Sequence, residues 1–172
     1  AISYSMAPKR PAELPCDIYH VSSEKEKWLV LVGLLDGAPY EVFAGLEEKL
    51  NIPHKIQNGF IRKENGVYNL IIGQEDDEWK IKDIPTMFEN KQFGTITRIT
   101  SMALRHGTPL KFVCEQLIRD GGFDAFNKAV SRVLKKYISD QEESGMKCEK
   151  CGKKMRYVQG CLTCECGYSK CG

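Results

Sequence analysis

Six of the chain's eight cysteines fall between Cys148 and Cys171. They run Cys148-Glu-Lys-Cys151-Gly152, then Cys161-Leu-Thr-Cys164, then Cys166-Gly-Tyr-Ser-Lys-Cys171. Thiolate sulfur is a soft ligand, and two C-x2-C pairs supply the four ligands that one tetrahedral zinc takes. Two intervening residues let both sulfurs of a pair turn inward from one knuckle, and Gly152 supplies the positive φ such a knuckle needs. Four ligands leave two cysteines over, and a spare pair four residues apart at a chain end can close as a disulfide. A structural zinc site is expected rather than a purely structural disulfide framework. The rest of the chain carries only Cys16 and Cys114, and no secretory signal opens it.

Little else in the chain has the spacing of a chemical site. His20, His54 and His106 are scattered along the sequence and read as surface or core residues. Cys114 lies on an apolar helical stripe and is expected to be an inert core thiol, while Cys16 follows Pro15 in an expected loop. The acidic run Glu75-Asp76-Asp77-Glu78 reads as a solvated loop. No phosphate-binding glycine loop, nucleophile elbow or H-E-x-x-H motif is present.

The elements that must carry the cysteines are short and mixed. With 172 residues, 42% hydrophobic and 28% charged, the chain can bury one respectable core and one small appendage. A net charge of +2 does not by itself point to nucleic acid or membrane, although Lys147, Lys150, Lys153, Lys154, Arg156 and Lys170 make the tail basic. No run approaches the ~18 apolar residues of a membrane helix. Free cysteines without a secretory signal predict a reducing compartment, the cytoplasm.

Residues 1–17, with Pro8, Pro11 and Pro15, read as an extended linker. Residues 18–138 are expected to form an α+β domain, a β-hairpin-rich front packed on about three helices. Strands are expected at Ile18–Val21 and Trp28–Leu35, with Asp36-Gly37 turning the chain into Tyr40–Phe43. A second hairpin turns at Asn65-Gly66, a dipeptide that accepts positive φ at both positions, and Trp79–Lys82 offers an edge strand. After Pro85 the apolar period lengthens to about 3.6 residues. Ile96, Ile99, Ala103 and Leu104 line one helix, and Leu110, Val113, Cys114, Leu117 and Ile118 a second, which Gly121-Gly122 stops. Asp124 caps a third, with Phe126, Ala129, Val130, Val133 and Leu134 inward and Lys128, Arg132, Lys135 and Lys136 on a solvated basic face. Residues 139–145 read as a hinge, and 146–172 as a small cysteine-rich zinc ribbon.

Taken together, Ala7-Pro-Lys-Arg-Pro11, Leu31-Val-Gly-Leu-Leu-Asp-Gly-Ala-Pro-Tyr-Glu-Val-Phe43, Thr100-Ser-Met-Ala-Leu-Arg-His-Gly-Thr-Pro-Leu110 and Cys166-Gly-Tyr-Ser-Lys-Cys-Gly172 carry a family likeness. On these motifs the chain resembles the C-terminal region of ribonucleotide reductase large chains, chiefly the adenosylcobalamin-dependent kind. The resemblance implies a fragment or split subunit that does not reduce nucleotides alone. The catalytic barrel, its thiyl cysteine and the adenosylcobalamin site would belong to the parent enzyme. In this family a cysteine pair on a mobile tail reduces the active-site disulfide after each turnover. An external dithiol such as a thioredoxin-like protein then reduces the tail pair.

Carried onto this sequence, the resemblance implies zinc on Cys148, Cys151, Cys161 and Cys164, with Cys166 and Cys171 as the redox relay. Family members place two residues between the last ribbon cysteine and the one before it, whereas Cys164-Glu165-Cys166 has one. A second set therefore stays open: Cys148, Cys151, Cys164 and Cys166 on zinc, with Cys161 and Cys171 free. The other class of function is a stand-alone zinc ribbon binding nucleic acid through its basic tail and helical face. Six cysteines rather than four favour the redox tail, and only Tyr157 and Tyr168 offer stacking surfaces near the ribbon.

Overall fold

The computed structural model describes residues 1–73, 75–119 and 124–171, and these are α+β as expected. The chain divides into two compact units, Ala1–Thr108 and Pro109–Gly172.

The first unit is built on a six-stranded antiparallel sheet. Its strands are β1 (Glu13–Ser23), β2 (Glu26–Leu35), β3 (Ala38–Leu46), β4 (Asn58–Glu64), β5 (Val67–Ile72) and β6 (Trp79–Ile81), in the order β3-β2-β1-β4-β5-β6. Both expected hairpins form. Asp36 and Gly37 take φ of 52° and 81°, and Asn65 and Gly66 take 52° and 78°, the paired positive values that two-residue turns require. One face of the sheet buries Cys16, Ile18, Leu29, Leu31, Ile61 and Leu70 with Leu50, Ile52 and Ile84.

Strand β1 starts earlier than expected, so Cys16 is a buried core residue of β1 and not part of a loop. The segment ahead of it is strapped down. The Tyr40 hydroxyl donates to the Pro8 carbonyl at 2.7 Å, and Arg10 Nε donates to Glu41 Oε1 at 2.7 Å. Arg10 also donates to the carbonyls of Pro11, Ala12 and Ile61.

Two helices complete this unit, α1 (Ile84–Phe88) and α2 (Lys91–Arg105). Asn90 caps α2 by accepting from the Phe93 N–H at 2.9 Å. The helix is rotated from the expected stripe: Thr97, Thr100, Ser101 and Leu104 are buried and Ile99 is 59% exposed. The cause is the sheet edge. Strand β3 is outermost, and its Val42 N–H donates to Ser101 Oγ at 3.0 Å while Ser101 Oγ donates back to the Val42 carbonyl at 3.3 Å. A hydroxyl that satisfies an exposed strand edge outranks an isoleucine for the inward position.

The second unit holds α3 (Leu110–Leu117), α4 (Ala125–Leu134) and a four-stranded antiparallel ribbon. The ribbon strands are β7 (Glu143–Lys147), β8 (Lys154–Val158), β9 (Cys161–Thr163) and β10 (Ser169–Lys170), ordered β10-β9-β8-β7. Asp124 caps α4 as expected, its Oδ1 accepting from the Phe126 N–H at 2.8 Å. The expected stop at Gly121-Gly122 lies outside the described residues.

This division differs from the one the sequence predicts. Residues 139–145 are bonded into the ribbon and to α3 and do not form a free hinge. Gln141 N–H donates to the Tyr157 carbonyl at 2.6 Å, Tyr157 N–H to the Glu142 carbonyl at 2.9 Å, and Gly145 N–H to Glu115 Oε1 at 3.1 Å. Among the described residues no helix is long and apolar enough to cross a membrane.

Candidate metal centre

The two ribbon hairpins end in tips of the same construction. Between β7 and β8, Cys148 N–H donates to the Lys153 carbonyl at 2.8 Å and Gly152 N–H donates to the Cys148 carbonyl at 2.9 Å. Between β9 and β10, Cys164 N–H donates to the Tyr168 carbonyl at 2.8 Å and Gly167 N–H donates to the Cys164 carbonyl at 3.0 Å. Gly152 and Gly167 close these turns at φ of 77° and 92°, where a side chain would be strained. Buried Met155, Tyr157 and Leu162 hold the strands beneath them.

Each tip presents two cysteines, and the four sulfurs converge. Cys148 Sγ lies 3.7 Å from Cys166 Sγ, Cys151 Sγ lies 3.3 Å from Cys164 Sγ, and all four are within 4.8 Å of one another. Zinc–sulfur bonds of about 2.3 Å in a tetrahedron separate the sulfurs by about 3.8 Å, so the set fits zinc. The electrostatics point the same way. Burial raises the Cys148 thiol, but N–H groups of Cys151 and Lys150 outweigh it and draw the pKa below that of an ordinary thiol. The Cys166 N–H draws Cys164 down, but its bond with Cys151, burial and its bonds with Cys166 and Cys148 push it above the usual thiol range. Four sulfurs this close cannot all carry charge without a cation among them.

The sequence places Cys161 among the ligands and Cys166 in the exchange pair, whereas the sulfurs that converge are those of Cys148, Cys151, Cys164 and Cys166, and Cys161 is bonded to Cys171. Cys161 opens β9, an extended strand that carries it about 10 Å from Cys164, too far for one knuckle. Strands β9 and β10 pair Thr163 with Ser169 and Leu162 with Lys170. One step further along this register sets Cys171 opposite Cys161, and these two form a disulfide with Cα atoms 4.5 Å apart. The cysteines gathered are thus the second set that the sequence left open. Its signal was the glycine after Cys151 and after Cys166, which marks where each turn closes.

The remaining cysteines take no part. Burial pushes the Cys114 thiol up to about 12 and raises Cys16 well above the ordinary value. The expected basic face is not wholly solvated, because Lys135 is 4% exposed and its burial lowers the ammonium pKa. Sequence spacing also missed a convergence in the first unit, where His20 and His54 both reach Glu47.

A family model described as NrdJ homologue C-terminal domain matches residues 14–139. No curated protein and no solved structure matches the chain.

Proposed function

The chain belongs to the family of NrdJ homologue C-terminal domains, related to the C-terminal region of adenosylcobalamin-dependent ribonucleotide reductase, and from that premise we propose that it relays electrons to a nucleotide-reducing partner. The observation that carries the proposal is the Cys161–Cys171 disulfide, closed at the end of a strand pair whose other end presents Cys164 and Cys166 to the sulfur cluster. Cys171 is exposed, so an incoming thiolate has access to the bond.

In this scheme an external dithiol, such as a thioredoxin-like protein, attacks one sulfur of the disulfide. A mixed disulfide forms and the second sulfur leaves as a thiolate. The reductant's remaining thiol resolves the intermediate, so the reductant leaves oxidised by two electrons and Cys161 and Cys171 are both thiols. The reduced pair then attacks the active-site disulfide of the catalytic barrel by the same two exchanges and returns to its oxidised form. Zinc on Cys148, Cys151, Cys164 and Cys166 keeps those thiols out of the exchange and fixes the hairpin tips. Adenosylcobalamin and the radical chemistry reside on the catalytic portion, not on this chain, in a reducing cytoplasmic compartment.

The nucleic-acid alternative gains nothing comparable. The burial of Lys135 takes one cation off the helical face it would need.

The test is the double variant Cys161→Ser/Cys171→Ser, combined with the catalytic portion. Turnover driven by the external dithiol protein is expected to be lost, turnover with a small dithiol to survive, and metal content to stay unchanged. Equal activity with both reductants would show that the tail has no redox role. Loss of metal from the double variant would return Cys161 to the ligand set.

A further inference from the structure

Strand β1 points alternate residues into the core, Leu14, Cys16 and Ile18 in turn, and the next in that series is His20. Its side chain is only 10% exposed. Glu47 is brought to it by the 3-10 turn Glu47–Lys49 that follows β3. His54 is brought by the loop after that turn. Buried Leu50 and Ile52 anchor this loop, and the Ile56 N–H closes it on the Pro53 carbonyl at 3.0 Å. The two imidazoles stack with centroids 4.1 Å apart and planes 19° apart. His20 Nδ1 lies 2.5 Å and His54 Nε2 lies 2.6 Å from the same carboxylate oxygen, Glu47 Oε1.

We propose that His20, Glu47 and His54 form a second metal site, for a divalent transition ion of the zinc or cobalt class. The donor set is two imidazole nitrogens and one carboxylate oxygen, which suits such ions and is the ligand complement of sites that keep a fourth position open. The three donor atoms lie within 4.8 Å of one another. Tetrahedral coordination needs them about 3.3 Å apart, so small rotations of Glu47 and the exposed His54 would admit the ion.

Hydrogen bonding alone accounts poorly for His20. Its Nε2 is buried without a partner, a cost that an aliphatic side chain on this core face would avoid. The residue is explained by what its Nδ1 does. Glu47 and His54 also line a cleft of about 800 Å³, whose other charged lining residues are Lys25, Glu26, Lys27 and Glu48. A water from this cleft can complete the coordination.

The site is independent of the cysteine cluster, and cobalt separates the two. The full-length chain, stripped of metal, is titrated with Co²⁺. One equivalent should give the sulfur-to-cobalt charge-transfer band of the cysteine site. A second should bind with visible d–d absorption and no added thiolate band. His54→Ala, a change at a residue whose side chain is 68% exposed, and Glu47→Gln should each lose the second equivalent, keep the first, and leave the thermal transition in place. His106→Ala should keep both. A wild-type chain that binds only the thiolate equivalent would overturn the proposal and leave a hydrogen-bonded triad. So would variants that retain the second equivalent, which would mark it as adventitious. Failure of the cysteine site alone would appear differently, as a missing thiolate band with the d–d absorption still lost in His54→Ala.

Discussion

Arg10→Met should destabilise the first unit by an amount that grows with pH. Glu41 is nearly enclosed, its side chain 4% exposed, and Arg10 is its ion-pair partner at 2.7 Å. Burial raises the Glu41 pKa above the ordinary carboxylate value, and the charge and hydrogen bond of Arg10 offset only part of that rise. Methionine fills much of the arginine stem's volume but leaves Glu41 without its partner. An uncompensated buried charge costs about 3–5 kcal/mol, yet the carboxyl can escape by taking up a proton. From an ordinary value of 4.5, that uptake costs about 1.4 kcal/mol per pH unit, or about 3.4 kcal/mol at pH 7.

The sign follows from which state holds the proton. In both proteins folded Glu41 holds a proton that the unfolded state releases above pH 4.5, so stability falls as pH rises through that value. Without Arg10 the folded carboxyl keeps its proton to higher pH, and the fall continues further in the variant. Urea unfolding of both proteins at half-unit steps from pH 5 to pH 8 should show a gap that is small at the acid end and widens steadily until Glu41 ionises in the folded variant. A pH-independent gap would refute the electrostatic account. Arg10 would then stabilise only through its bonds to the Pro11, Ala12 and Ile61 carbonyls.

Two further outcomes follow from packing. A Cβ at Gly45 would meet Phe88 Cδ1 at 2.3 Å, so Gly45→Ala should push α1 off β3, costing about 1–3 kcal/mol in denaturant unfolding, whereas Gly37→Ala meets nothing and should show only turn strain. Residues 1–108 alone should unfold in one cooperative thermal transition; a fragment ending after Ser139 should gain little over it, because α3 has lost the ribbon backbone it bonds to.

How much of this was legible in the sequence depends on how local the cause is. Asp36-Gly37 and Asn65-Gly66 name their turns because two positive φ values are a property of the dipeptide itself. Asp124 names its cap for the same reason. The rotation of α2 was not legible, because it answers the unpaired edge of β3 at Val42, 59 residues from Ser101. The basic face on α4 misled because periodicity assigns Lys135 to the outer side without knowing what covers it. At the candidate metal centre, the cysteines and their chemistry were legible but not their grouping. Cys161-x2-Cys164 has knuckle spacing, and only the β8–β9 pairing reveals it as strand. His20, Glu47 and His54 share no spacing rule, since a strand, a 3-10 turn and a loop each contribute one.

The register that sets Cys171 opposite Cys161 also fixes the length of an arm. Were Cys166 held by a metal ion, as proposed, the five residues Gly167 to Cys171 would form the arm beyond that pivot, and β10 is held by two residue pairs. Opening the disulfide frees those five residues to extend by about 17 Å. The Cys171 sulfur can then sweep a hemisphere of that radius, while Cys161 stays on its strand at the centre of the ribbon sheet. In the relay proposed above, the two sulfurs would therefore be unequal, Cys171 a travelling nucleophile and Cys161 a fixed resolving thiol. Under that proposal, a partner whose buried disulfide lies deeper than this radius would have to bring the whole ribbon to its mouth.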